Sequence, residues 1–390
     1  MRIQDRYELA EELRQHYWGA GRRERSRLLD ALCLAAGYNR KYAIAVLRGR
    51  QRLVRLVRRP RPRRYGPEFR NALKVVWEAA GYICSERLQP FIPDLVPLLM
   101  RHGQLKIDEA TENLLRSASL ATIERNLVPL RRGVIARKMS QTRPGSLLRK
   151  QIPVVVGKWK QLDQPGYLEV DLVSHSGEFA AGEWIWTLCA TDLCTGWTER
   201  VPVMGRGQLG ILSAVERIRI QLPFPLLGLH PDNGNEFLNY HLVKYCQGDD
   251  QHAPVLLSRS RPEHKNDNAH VEQKNWTLVR RLIGYQRLDS PEQLAWLDTL
   301  YTQLLRPYNN CFQPVMKLIR KEHVGERTRK IYDTPTSPLR RVLDSGAADP
   351  AKIGALVRLY TEGSPLTLKR QIDRRLDAMP RPQVVSSETA

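Results

Sequence analysis

The stretch Pro223–Phe237, PFPLLGLHPDNGNEF, decides how the chain is to be read. Its apolar first half predicts a short buried strand over LLGLH, and Asn233-Gly234 is among the strongest short turn signals. The simplest reading is a loop tip between two elements. Yet Asp232 stands at the exit of that strand, where a carboxylate is aimed off the sheet edge into whatever lies beyond it.

Upstream, YLEVDLVS (167–174), EWIWTLCAT (183–191) and WTERVPV (197–203) are short β-rich runs, separated by turn residues such as Ser176-Gly177 and Thr195-Gly196. GQLGILSAVERIRIQ (207–221) reads as a helix leading into LLGLH. Downstream come a helix over NEFLNYHLVKYC, a strand in APVLLS, a helix from Asn268 to Leu282 and another over PEQLAWLDTLYTQLL. The order β-β-β-α-β-α-β-α-α predicts a mixed α/β sheet.

Further upstream the texture is helical. Residues 5–18 space Tyr7, Leu9, Ala10, Leu13 and Tyr17 near one helix face. RRERSRLLDALCLAAG follows, with Gly37 as C-cap, and Asn39 then N-caps RKYAIAVLRG. Two helices around a short glycine turn, the second opening on Arg40 and Lys41, follow the helix-turn-helix pattern, which a plain three-helix bundle shares. Arg48–Arg64 carries nine arginines and no acid. It reads as a phosphate-tracking arm, with Arg58 and Arg59 as contacts, in preference to a solvated linker. IDEATENLLRSASLATIERNLVPLR gives a second helix–turn–helix, with Ser119 as N-cap and Thr122 and Arg125 near the helix start, where a recognition helix reads bases. The expected divisions are a helix-turn-helix domain 1–50, a basic linker 51–66, a second helical domain 67–133, a linker 134–165, the α/β core 166–319 and a basic C-terminal region 320–390 ending in a disordered tail.

Charge points to the partner. With 62 Lys+Arg against 41 Asp+Glu, the 390 residues carry a formal +21, which suits a polyanion, nucleic acid first. No long apolar span argues for a membrane, and the charged start MRIQDRYELAEEL does not resemble a signal peptide, so a cytoplasmic, nucleoid-associated location is expected. Six scattered cysteines without CxxC pairs predict free thiols.

Three acids stand out by placement. Asp171 lies inside the first strand, an awkward position for a charge without a partner or a task. Asp232 follows the fourth strand, and Glu272 lies near the start of the helix carrying Asn275 and Val279 on the same face. Taken singly, each is an ordinary strand, turn or helix-face acid. If the first and fourth strands are neighbours, Asp171 and Asp232 lie side by side and the Glu272 helix crosses that edge. Converging carboxylates then require divalent cations, and hard oxygen ligands suit Mg²⁺ or Mn²⁺. His175 and His230 flank the first two acids, near enough to hydrogen-bond a carboxylate, but are not read as ligands.

EVDLVSHSG, TDLCTGWTERVPV, HPDNGNEF and SRPEHKNDNAHVEQKN resemble the retroviral-type integrase core of bacterial insertion-sequence transposases. The resemblance covers about 166–310, with the flanking regions fitting more loosely. It implies a ribonuclease-H-like core in a multidomain α + α/β chain. The acids in the order Asp, Asp, Glu fall on Asp171, Asp232 and Glu272, which hold two metal ions. The activity implied is cleavage at transposon ends, then transfer of the freed 3′-hydroxyl into target DNA by a homo-oligomer. Lys265, Asn268 and Arg280, around the Glu272 helix, are candidate phosphate contacts. After Ser260-Arg261-Pro262 the chain departs from the family pattern, with Glu263 and His264 in place of an aromatic residue and a lysine. A nuclease without strand transfer and a non-catalytic DNA-binding regulator are the alternatives.

Overall fold

The computed structural model describes residues 3–50, 64–131, 163–177, 181–231, 234, 236–237, 239–250, 252–259, 275–324 and 327–380. The chain divides into two compact units, Met1–Arg64 and Tyr65–Ala390.

The first unit contains α1 (Ile3–Tyr17), α2 (Arg22–Ala36) and α3 (Arg40–Leu47). Gly37 ends α2 at φ 66°, its amide donating to the Cys33 carbonyl. That left-handed conformation is accessible to glycine without a Cβ clash. Two residues later the Asn39 side chain accepts from the Tyr42 amide at 2.8 Å and starts α3. Ala10, Tyr17, Leu29, Leu32, Ala36, Ala43, Val46 and Leu47 form the core of this unit, with Leu9 and Leu13 packed against it.

The second unit begins with α4 (Pro67–Ala79), α5 (Ser85–Leu88), α6 (Ile92–Arg101), α7 (Glu109–Ser117) and α8 (Leu120–Leu127). Ser119 caps α8 by accepting from the Thr122 amide. These helices share one continuous core with the sheet that follows. Tyr308 donates to the Ala79 carbonyl at 2.9 Å, and Arg87 Nε donates to the Pro314 carbonyl at 2.6 Å.

The sheet comprises β1 (Tyr167–Ser174), β2 (Ile185–Asp192), β3 (Thr198–Met204), β4 (Gly228–Pro231) and β5 (Leu256–Leu257), in the order β3-β2-β1-β4-β5. β1, β2 and β3 run antiparallel, while β4 is parallel to β1 and β5 to β4. Every residue of β2 is buried, so both faces of the sheet centre are covered. α9 (Gln208–Gln221) packs on β2 and β3. α10 (Tyr240–Gln247) leads towards β5. It starts later than its sequence suggests because the Asn239 side chain caps it, accepting from the Leu242 amide at 3.0 Å.

A π-helical turn, Asn275–Arg280, lies against β1 and passes into the α-helical Arg281–Ile283. Next comes a long helical run: Pro291–Thr299, the π-helical Leu300–Leu305 and Arg306–Phe312. Beyond it stand a separate hairpin of β6 (Leu318–Val324) and β7 (Arg327–Tyr332), and helices Pro338–Asp344, Pro350–Glu362 and Pro365–Asp377. The last helix returns to α4 and α6. The six cysteines are free, and no helix among the described residues is long and apolar enough to cross a membrane.

Candidate active site

β1 places Asp171 at mid-strand, half-buried, opposite Cys189 of β2. On its other side β4 pairs in parallel as far as Val170–Pro231 and ends there. β1 and β4 are therefore neighbours, the condition on which the expected meeting of acids depended. Asp232 itself lies outside the described residues, as does Glu272.

What the structure brings to Asp171 is Asn275. Its Nδ2 donates to Asp171 Oδ2 at 2.7 Å, while Asp171 Oδ1 accepts from the Leu172 amide at 2.8 Å. Asn275 is buried, and its Oδ1 has no hydrogen-bond partner among the described residues. A carboxylate beside an unsatisfied amide oxygen is a hard-oxygen donor set of the kind Mg²⁺ or Mn²⁺ accepts. Among the described residues no three His, Cys, Asp or Glu side chains gather to hold a metal, two of the three expected acids being outside that set.

In an antiparallel ladder, directly opposed residues project from the same face. Asp171 opposes Cys189 and Cys189 opposes Arg200, so one row carries all three. His175 follows on the same face of the β1 edge, fully buried, its Nε2 2.8 Å from Thr187 Oγ1, which is 2.9 Å from the Tyr301 hydroxyl. Burial, with Arg280 adding to it, pulls the His175 imidazole down to about 3, so the ring is neutral at physiological pH. Burial pushes the Tyr301 phenol up to about 12. The two histidines contribute to the packing of the site: His175 pairs with Thr187, and His230 Nδ1 lies 2.8 Å from Ser258 Oγ.

The expected DNA contacts are variously placed. Arg40 is ion-paired with Asp30 and donates to Ser26 Oγ at 2.6 Å, whereas Lys41 is exposed. Thr122 stands in the first turn of α8, its hydroxyl sharing a hydrogen bond with Ser119, but Arg125 is exposed in the last turn and not near the helix start, because α8 is only eight residues long; its Nε donates back to the Ala121 carbonyl. Arg280 is half-buried and stacks over the Tyr285 ring at 4.8 Å. Arg58, Arg59, Lys265 and Asn268 lie outside the described residues.

In the sequence Asn275 shares the Glu272 face but has no evident role, and Arg200 does not stand out. The first carried a signal in its three-residue spacing from Glu272. For Arg200 the signal was the adjacent pair Glu199-Arg200 inside WTERVPV, which puts one charge on each face of a buried strand.

No family model matches the chain. It is similar to a protein of Sinorhizobium fredii (strain NBRC 101917 / NGR234) described as uncharacterized protein y4rM. The two are 41% identical over 339 residues, covering 86% of this chain and 94% of that protein.

Proposed function

We propose that this chain, which belongs to the family of the Sinorhizobium fredii protein y4rM, is a DNA transposase that cuts transposon ends and joins them to target DNA with three acids, Asp171, Asp232 and Glu272. The observation that carries the reading is the pair of neighbours at Asp171. Pro231, which directly precedes Asp232, ends the strand paired with β1, and Asn275, three residues after Glu272, is hydrogen-bonded to Asp171 itself. The mixed five-stranded sheet is compatible with the ribonuclease-H-like core that the motifs imply.

In this reading the three carboxylates hold Mg²⁺ or Mn²⁺, which supplies positive charge against the carboxylates and the phosphate oxygens. Asn275 orients Asp171 by holding one of its oxygens. Cleavage is hydrolysis: a water oxygen bonds to phosphorus, the bond from phosphorus to the 3′-oxygen breaks, and that oxygen takes the proton. In joining, the freed 3′-hydroxyl attacks a target phosphate, so one phosphodiester forms as another breaks and no external energy source is needed. The two helical regions, α1–α3 and α7–α8, serve as helix-turn-helix DNA readers in a chain of net charge +21. Two DNA ends must be held at once, so the working species is a dimer or larger assembly.

The test uses the purified full-length chain, Mg²⁺ or Mn²⁺, a target plasmid, and labelled duplexes tiling the DNA on both sides of its gene. Label joined to plasmid is the expected product. Cleaved duplex without joining would favour the nuclease, and DNA binding without cleavage would favour the regulator.

A further inference from the structure

Arg200 is 3% exposed, at the β3 end of the row that begins with Asp171. A guanidinium keeps its charge at any ordinary pH, so a positive charge is carried into the core. Its sequence neighbour Glu199 projects from the opposite face, where Arg306 Nε holds it at 2.8 Å. Arg200 Nη1 donates to the Leu278 carbonyl at 2.9 Å, and its guanidinium lies over the Tyr301 ring at 5.2 Å. Its Nε and Nη2 are buried with no hydrogen-bond partner among the described residues. Taking a guanidinium out of water is costly, so its place in the core calls for a reason beyond packing.

The reason lies in what Leu278 belongs to. One π-helical turn, Asn275–Arg280, is tied to the sheet at two points: Asn275 to Asp171 on β1, and Leu278 to Arg200 on β3. The two ties straddle β2 and fix both the height and the rotation of the turn. π-Helical turns are rare and recur at functional sites. A charged donor on a backbone carbonyl is a strong anchor for such a turn.

We propose that Arg200 is a positioning residue of the acidic centre: through the Leu278 carbonyl it holds the π-helical turn in the register that lays Asn275 on Asp171. Its consequence for DNA cleavage rests on the transposase reading; its consequence for the turn does not.

Hydrogen exchange by mass spectrometry on the full-length chain reads the turn directly. In Arg200→Met, amides of 275–283 exchange about tenfold faster, the effect of losing one charged hydrogen bond, while β1 and β2 keep their protection. Arg200→Lys keeps the charge but not the fork over Tyr301, and gives a smaller rise in the same segment; it replaces the methionine variant should that fail to fold. Wild-type exchange at 275–283 in a folded variant overturns the proposal, and so does a rise of equal size throughout the sheet.

With labelled end duplexes, cleavage kcat in Arg200→Met falls about 100-fold while DNA affinity changes less than about threefold. The double variant Arg200→Met/Asn275→Leu is no slower than the slower single one. Multiplicative losses would mean that Arg200 does not act through the turn. If the wild-type chain cleaves no DNA, the transposase reading fails and the exchange result still decides the role of Arg200.

Discussion

Asn275 Nδ2 lies 2.7 Å from Asp171 Oδ2, joining the helical turn that follows Glu272 to the middle of the central sheet. The bond fixes one carboxylate oxygen and leaves the other bonded to the Leu172 amide. It makes Asn275 an orienting group for the Asp171 carboxylate.

Replacing Asn275 by Leu keeps the size and removes the donor. The expected result is a fall in strand cleavage of about 10- to 100-fold, with DNA affinity unchanged, since geometry and not binding is lost. Single-turnover cleavage beside a binding isotherm checks it. Asn275→Leu cleaving at the wild-type rate would remove Asn275 from the site.

His175 gives a pH dependence of stability. Its folded-state pKa of about 3 lies below the ordinary 6.5, so the unfolded chain takes up a proton first as the pH falls. Nothing is lost above pH 6.5; below it, stability declines until about pH 3. Between pH 7.5 and 5 this group removes about 2 kcal/mol. His175→Gln, which can still bond Thr187, loses that amount less over the same interval. Denaturant unfolding of both proteins at the two pH values measures the difference, and parallel behaviour would contradict the assignment.

On the opposite sheet face, Glu199 is 1% exposed and accepts from Arg306 Nε and from Trp197 Nε1, both at 2.8 Å. Glu199→Ala removes the carboxylate partner of the half-buried Arg306 side chain, and a loss of about 2 kcal/mol is expected. Arg306 also donates to the Gln221 carbonyl at 2.5 Å, so the loss extends to the end of α9. Thermal unfolding reads it; a change below about 0.5 kcal/mol, typical of a surface pair, would mean the site is wetter than its burial implies.

The sheet was legible because its signals are local. β-Rich composition and turn residues marked β1 to β3, Asn39 and Ser119 announced their helices, and the apolar LLGLH run gave β4. The hairpin β6–β7 escaped because LIRKEHV and RTRKIY alternate mostly among charged residues, leaving no apolar face to detect. The joining of α4–α8 and the last helix to the sheet core depends on contacts between residues far apart in sequence, such as Tyr308 with Ala79, which no local pattern carries. The same holds for Arg200 and Leu278. Their sequence positions say that a charge is buried, and only the fold says which carbonyl it meets.

The three-acid claim is tested most directly by strand transfer with Asp171→Asn, Asp232→Asn and Glu272→Gln, each beside the wild-type chain at equal DNA occupancy. Each substitution preserves size and removes one charge. Joined product is expected from the wild-type protein alone, with all four proteins binding the labelled end DNA equally. Joining by any one of the three variants at the wild-type rate would contradict the claim.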